Sequence, residues 1–537
     1  MGGIASAAAI IFLGNVTSRL LGLAREIVIA ALFGNTGATS AYRTAARLAT
    51  VAYDLLISGA ISAALVPVFT DYARTGDSRA LARVVSVILN LLLLALGVLL
   101  LVLMVAAPAV VALLGADAAY FDLTVTLTRW ALLSVLLLGV AGVLTAALYA
   151  QRDFKWPAFA TAAYNAGIIA AAWALTRPYG DDRPPESIVA LAIGLVLGAF
   201  LQAAIQLPGL RGLRYEAVLD WHHPGVRLAL RLYAPVAAGL VVSNFGVVVD
   251  TNLAWRTGEA SLAALQAATT LVQFPLGLVA SAVSLAALPT LARAVPTGEE
   301  RSEGAGEYIA TLTFAVRLVL LLILPATVGL FLLREPVVAW LFQRGAFDAV
   351  ATAQTAQAFA YYAPQLPFAA LDQLFIVAFY ARKDTRTPVL VGVGTVLLYL
   401  ATAPALCGCV DLPLLGRPAL VVGRDGLALA NTIQNSTHAV VLFLLLRQAF
   451  PALASRELGG YLLRVALAAL GMGVLLHVLL PLLASPPRAP WQVVLAGGLV
   501  GVLAYAALLL LLRVQEIGLL WRLLRARLGP PAPPAAA

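Results

Sequence analysis

The sequence predicts an all-α polytopic membrane protein with about 14 transmembrane helices, built as two pseudo-symmetric six-helix lobes plus two extra C-terminal helices. Three observations predict it. Of the 537 residues, 62% are hydrophobic and only 11% charged, against about 25% charged in soluble domains. Apolar runs of roughly 18 or more residues, the length that spans a bilayer as a helix, recur from end to end. A charged phrase also occurs twice, as YAQRDFKWP at 149–157 and YARKDTRTP at 380–388.

Taken in order, the expected spans are 4–33, 40–71, 84–114, 122–150, 157–176, 187–208, 228–255, 261–292, 308–333, 350–380, 388–407, 425–447, 459–483 and 490–513. The first is read as a helix and not as a cleaved signal, because MGGIASAAAIIFL lacks a basic leader and the apolar pattern continues to Phe33. The loops between spans fall into two alternating sets. One set, with the tail, holds about 21 Lys and Arg residues and the other about 8, and positive residues concentrate in cytoplasmic loops. Both termini, and both copies of the charged phrase, are therefore expected in the cytoplasm. The tail ending GPPAPPAAA is Pro/Ala-rich and expected to be disordered.

The two phrases share Y-A-[QR]-[RK]-D-x-[KR]-x-P, with their prolines Pro157 and Pro388 offset by 231 residues. A weaker echo links AISAALVP (60–67) to AVSLAALP (282–289) at an offset of 222. Each joins corresponding places in two sets of six helices. The expected organisation is a lobe at 1–225, a lobe at 226–450, two further membrane helices at 451–514, and a cytoplasmic tail at 515–537. Six helices separate the copies, so the repeats are parallel, and transporters built this way bind substrate at the repeat interface. The phrase itself reads as a topological loop. Its basic residues suit an anionic leaflet, Pro388 suits the first turn of a helix, and Asp384 caps that helix or pairs with a neighbouring arginine.

Arg19, Arg25, Arg43, Arg47, Arg129 and Arg317 fall within or at the ends of spans. An arginine at a helix centre costs about 2.5–3.5 kcal/mol on insertion scales, so such residues face a cavity or a partner. Arg19 and Arg25 are about 120° apart on a regular helix and converge on one cavity if the helix bends at Gly14 or Gly22. Glu26 is placed to screen Arg25. Arg43, Arg47 and Asp54, spaced by four and seven, share one stripe of the second helix, and snorkelling to the interface is the alternative for Arg43. For Asp250, in VVVDTNLA, three readings stand: a coupling cation, an arginine partner, or the outer surface. Guanidinium groups match phosphate and carboxylate by paired hydrogen bonds, so the expected substrate is anionic. Cys407 and Cys409 read as structural thiols. With no further Cys or His cluster nearby no metal site is expected, and no histidine is assigned a catalytic role, His438 and His477 standing alone in apolar segments.

Several landmarks occur in one order: SRLLGLAREIVIAALFG (18–34), GAISAALVPVFTDY (59–72), FPLGLVASAVSLAALPTLAR (274–293), LFQRGAFD (341–348), FYARKDTRTPV (379–389) and GLALANTI (426–433). Over most of the chain these resemble the MurJ (MviN) family of lipid II flippases, of the multidrug/oligosaccharidyl-lipid/polysaccharide exporter superfamily. The resemblance implies a transporter without catalytic residues or cofactor in the bacterial cytoplasmic membrane, moving an undecaprenyl-pyrophosphate-linked glycan by alternating access. It implies that Arg19 and Arg25 hold the pyrophosphate, that Arg47 and Arg43 add to the site, and that the last two helices groove the lipid tail. Partners expected from it are membrane lipids and the cell-wall synthesis machinery, with a monomeric carrier and no nucleic acid. Coupling to the membrane potential or to a monovalent cation stays open, with Asp250, Glu26 and Asp54 as the ion-coupling or charge-pairing candidates. The chain departs from the family at Ser40, at Tyr53 and Asp54, and at Thr269 and Thr270, where the family carries other charges, and 388–406 offers no Asn or Asp for a sodium site. Flipping of another undecaprenyl-linked oligosaccharide and cation-coupled drug export are the alternative readings.

Overall fold

The computed structural model describes residues 2–58, 61–180, 183–210, 212–294, 301–409, 422–485 and 488–514. Every regular element among them is helical. Ten helical runs among the described residues are long and apolar enough to cross a membrane. The other four expected spans are helical as well, but they carry interior charges or are broken into pieces. The tail at 515–537 lies outside the described residues.

The chain forms two compact units. The first comprises 1–270, 342–355 and 399–427. It contains α1 (Gly2–Phe33), α2 (Gly37–Tyr53), α3 (Val66–Arg74), α4 (Ser78–Val105), α5 (Ala107–Leu113), α6 (Phe121–Ala150), α7 (Lys155–Thr176), α8 (Val189–Ala204), α9 (Pro224–Arg256) and most of α10 (Ser261–Pro275). Helix α6 is its axis and packs on α2, α4 and α8. Small residues permit the closest approaches. A Cβ on Gly167 of α7 would lie 2.6 Å from the Cα of Gly198 on α8, and one on Gly14 of α1 would lie 2.3 Å from the Ala158 carbonyl oxygen of α7. Gly14 is thus a packing point, and α1 runs unbroken through it. The expected second span is not one regular helix: α2 gives way to π-helical turns at Asp54–Ser58 and Ile61–Leu65 before α3. The expected third span breaks at Ala106, where Pro108 opens α5.

The landmark at 341–348 docks on the end of α1 within this unit. Ala346 N–H donates to the Ala31 carbonyl at 2.9 Å, and Asn35 donates to the Thr355 hydroxyl at 3.0 Å. Gly34 (φ 60°) and Gly345 (φ 57°) make this possible, since each takes the left-handed conformation and leaves no room for a Cβ against the opposing backbone.

The second unit comprises 271–341, 356–398 and 428–537. It contains α11 (Ser281–Arg293), α12 (Arg301–Leu332), most of α13 (Arg334–Phe342), the end of α14 (Ala349–Tyr362), α15 (Leu366–Ala381), most of α16 (Arg386–Leu406) and of α17 (Arg424–Ala449), α18 (Arg456–Ala484) and α19 (Pro490–Leu511). Helices α18 and α19 pack on each other and on α12. Tyr461 and Tyr505 donate to the Arg317 and Leu321 carbonyls, and Arg317 lies 3.8 Å from Glu457 and over the Tyr461 ring. Arg317, expected inside a span, thus has partners on α18. The contact-based units do not divide at 225: α9 and most of α10 pack with the elements before them.

The first sequence echo has matching backbone, and the second has it only in the turn that precedes each copy. At the first, Arg152 N–H donates to Tyr149 O and Asp153 N–H to Leu148 O, while Lys383 N–H donates to Tyr380 O and Asp384 N–H to Phe379 O. This is a Schellman turn in each copy, with a non-glycine residue at its left-handed position, Arg152 at φ 61° and Lys383 at φ 59°. The aspartate then caps the next helix: Asp153 accepts from Lys155 N–H at 3.0 Å, and Asp384 from Arg386 and Thr387 N–H at 3.1 and 3.0 Å. The second echo is π-helical at Ile61–Leu65 and α-helical in its later copy, within α11, but each copy is preceded by a π-helical turn, Asp54–Ser58 and Leu276–Ala280, 222 residues apart. Cys407 and Cys409, expected as thiols, are joined to each other at the end of α16.

Candidate functional site

The first unit encloses a cavity of about 470 Å³ lined by Arg25, Arg43 and Arg47 among other residues. Helix α1 supplies Arg25, and α2 supplies Arg43 and Arg47 one turn apart. Three guanidinium groups close together repel, and two carboxylates outside the lining resolve this. Glu26, itself 5% exposed, accepts from Arg25 Nε at 3.2 Å and NH2 at 2.7 Å, and from Arg43 NH1 at 3.2 Å and NH2 at 2.5 Å. One carboxylate therefore holds two arginines and leaves the cluster a net positive charge. Asp250 of α9 pairs with Arg47 NH1 at 2.6 Å, and its other oxygen accepts from the Tyr399 hydroxyl of α16 at 2.5 Å. The cations face the cavity and their counter-ions stand behind them.

Neutral contacts hold this frame. Asn165 of α7 accepts from Arg25 NH1 at 3.1 Å and donates to the Ser18 carbonyl at 3.3 Å, tying the arginine to the α1–α7 seam. The Trp255 indole donates to Thr44 at 2.8 Å, and buried Ser40 accepts from Ala263 N–H at 3.3 Å. Helix α2 is thereby fixed to α9 and α10. The rest of the lining includes Tyr53, Asp54, Thr161, Tyr164, Gln202, Asn244 and Gln266. These present hydroxyls, amides and one carboxylate beside the arginines. The lining draws on both sides of residue 225, all within the first unit.

Several expectations change against this geometry. Arg19 is exposed and does not line the cavity, although it lies on the same uninterrupted helix as Arg25. The expected stripe of Arg43, Arg47 and Asp54 holds in that all three line the cavity, but its members have different neighbours. Arg43 turns to Glu26, Arg47 turns to Asp250, and the helix changes to a π-turn at Asp54. Arg43 does not snorkel; it is buried in an ion pair. Glu26 screens Arg43 as well as Arg25. Of the three readings of Asp250, the arginine partner is the one observed. His438 does not stand alone: it pairs with Asp372 at 2.5 Å. Among the described residues no group of three or more His, Cys, Asp or Glu side chains is placed to hold a metal ion. Tyr399, Asn165, Gln202 and Asn244 were not anticipated, since a single neutral polar residue in a membrane helix gives no pattern. The charges themselves did give a signal: three interior arginines called for interior carboxylates.

The comparisons agree with this architecture. The family described as "Lipid II flippase MurJ" matches residues 29–486. A relative from Burkholderia cenocepacia, "Lipid II flippase MurJ", is 30% identical over 81% of this chain and 82% of its own length. One from Haemophilus influenzae, "Probable lipid II flippase MurJ", is 30% identical over 94% and 99%. Among solved structures, a "Lipid II flippase MurJ, inward closed conformation" superposes with a TM-score of 0.76 at 22% identity, covering 93% of this chain and 98% of that one. An inward-facing multidrug resistance MATE family transporter of the MOP superfamily superposes at 0.67 and 15% identity, covering 81% and 95%.

Proposed function

Because the chain belongs to the lipid II flippase MurJ family, we propose that it carries lipid II from the inner to the outer leaflet of the bacterial cytoplasmic membrane by alternating access. It does so as a transporter and not as an enzyme, with both termini in the cytoplasm and two six-helix repeats as the moving parts. The observation that carries this reading is the arginine-lined cavity within a chain matched by that family over most of its length. Arg25, Arg43 and Arg47 receive the pyrophosphate, whose oxygens accept the paired N–H bonds that guanidinium groups offer. The ligand supplies the negative charge that Glu26 and Asp250 supply without it. Thr161, Tyr164, Gln202, Asn244 and Gln266 bond to the sugar and peptide of the headgroup.

The isoprenoid tail needs an apolar track. In the second unit a groove of about 450 Å³ is lined by Val328, Phe331 and Leu332 of α12 and by Leu470, Val474 and His477 of α18. Such a surface suits a hydrocarbon chain and not a headgroup, in keeping with a role for the two C-terminal helices beyond the repeats. Ser40, Tyr53, Thr269 and Thr270 are uncharged where the family carries charge. That favours, as a second reading, a different undecaprenyl-linked oligosaccharide as cargo.

The test is replacement. This chain, expressed in a bacterium depleted of its own lipid II flippase, is expected to restore growth and outward delivery of lipid II. A chain that inserts in the membrane and leaves lipid II on the inner leaflet contradicts the proposal, and restoration of a surface glycan alone selects the second reading.

A further inference from the structure

Helix α17 carries a polar row that the arginine cavity does not use. Thr432 donates to the Tyr361 carbonyl at 2.7 Å, Asn435 donates to Gln365 at 2.6 Å, and His438 meets Asp372 at 2.5 Å. Spacings of three residues keep the row on one face. It ends on a ring with two fixed neighbours, since His438 Nδ1 faces the Asp372 carboxylate and Nε2 lies 3.2 Å from the Pro388 carbonyl. The two side chains are 12% and 19% exposed, so neither partner is replaced by bulk water.

The proton count follows from the acceptors. A backbone carbonyl only accepts, so Nε2 carries a hydrogen. The contact between Nδ1 and the carboxylate needs one more, held on Nδ1 as imidazolium with carboxylate, since imidazole, at about 6.5, is a stronger base than a carboxylate, at about 3.9. The pair is then neutral overall and holds a proton between its members. Removing that proton sets a lone pair against a carboxylate in a setting of low polarity, which is costly.

Among the described residues, the charged groups nearest the pair lie elsewhere or have other partners. Asp372 is the one charged residue of α15. Arg386, at the start of α16, is exposed, and Arg424, Asp425 and Arg447 of α17 are nine or more positions from His438. Helices α11 and α12 pack on α15, where Arg293 bonds to the Pro289 carbonyl and Arg317 approaches Glu457. Arg382, in the loop before α16, stacks on Phe450.

We propose that His438 and Asp372 form a proton-binding site in the second unit, whose bound proton ties α15 and α17 together and fastens both to the first turn of α16. Pro388 is the last residue of the repeated phrase, so the site grips the helix which that phrase begins. Release of the proton breaks the Nδ1 contact and loosens α15 from α17, which the Phe375–Phe443 ring contact still joins. If the chain transports as proposed above, this is the element through which a proton enters the cycle.

The experiment uses the full chain in nanodiscs with 15N-labelled histidine. Ring-nitrogen spectra are recorded from pH 5 to 9, with His438→Gln to assign the signal and Asp372→Asn as the test. The expected result at pH 7.5 is a proton held at Nδ1 as well as Nε2 in the wild type, and loss of the Nδ1 proton in Asp372→Asn. An ordinary imidazole, with a pKa of about 6.5, is mostly singly protonated there. An unprotonated Nδ1 in the wild type, or identical spectra in the wild type and Asp372→Asn, overturns the site. These spectra judge it whether or not the chain flips lipid II. In vesicles, a pH dependence of lipid II flipping that His438→Gln abolishes places the site in the transport cycle, and one that persists removes it from that cycle.

Discussion

Arg47 reaches across from α2 to place NH1 2.6 Å from Asp250 on α9, and the same carboxylate accepts the Tyr399 hydroxyl of α16. Three helices therefore meet at one anionic centre, whose cation is also on the cavity wall. Under the proposed function, a ligand phosphate would compete with Asp250 for Arg47 and so change how α2, α9 and α16 are tied. The pair is part-exposed, at 21% and 24%, so its strength lies between that of a surface bridge and a buried one. A double-mutant cycle on Arg47→Ala and Asp250→Ala, read by thermal unfolding of the full chain, is expected to show coupling of about 0.5–3 kcal/mol. Strict additivity would remove the contact.

Glu26 is expected to be more costly to remove. Glu26→Gln leaves two guanidinium groups side by side with no counter-ion, and breaking a buried pair in this way costs about 3–5 kcal/mol. Combining it with Arg43→Leu is expected to destabilise less than the sum of the single changes, because the second substitution removes a charge that the first left unpaired. Thermal melts of the three variants check this.

The repeated turns make a local prediction. Lys383 and Arg152 hold the left-handed conformation, which costs a side-chain-bearing residue about 1–2 kcal/mol. Lys383→Gly is expected to raise the melting temperature, offset in part by the greater freedom of glycine in the unfolded chain. An unchanged or lower melting temperature would contradict the turn geometry.

Asp384 caps α16 through two backbone N–H groups and the Thr387 hydroxyl at 2.7 Å. Asp384→Ala is expected to cost about 0.5–2 kcal/mol. The bonds from Thr387 hold the Asp384 carboxyl below its ordinary value. A depressed folded pKa adds stability above the unfolded value, about 3.9, and that contribution is lost as pH falls through the lower folded value. Melts of the wild type and Asp384→Ala are therefore expected to stay apart above about pH 4 and to approach each other as pH falls below it.

The helices and the repeat were legible because both are carried by local sequence: apolar length, loop charge, and a nine-residue phrase whose turn and cap are made by its own residues. The pairings were less so. Glu26 was within reach of Arg25 by adjacency, but its bond to Arg43 depends on how α1 meets α2. Asp250 lies 203 positions from Arg47, and His438 lies 66 from Asp372, and no periodicity connects such distances. Arg19 misled because its convergence with Arg25 required a bend at Gly14 or Gly22; Gly14 instead packs against Ala158, and α1 runs unbroken through both. An electrostatic inventory would have gone further than spacing, since every interior cation in the cavity found an interior anion.

In the proposed function, Arg25, Arg43 and Arg47 hold the phosphate of a lipid-linked substrate and Arg19 does not. Native mass spectrometry of the full chain purified with its lipid tests it most directly, comparing the wild type with Arg25→Ala, Arg47→Ala and Arg19→Ala. The account predicts that co-purified lipid II is lost from the Arg25 and Arg47 variants and kept by the Arg19 variant. Equal retention in all four proteins, or loss confined to Arg19→Ala, would contradict it.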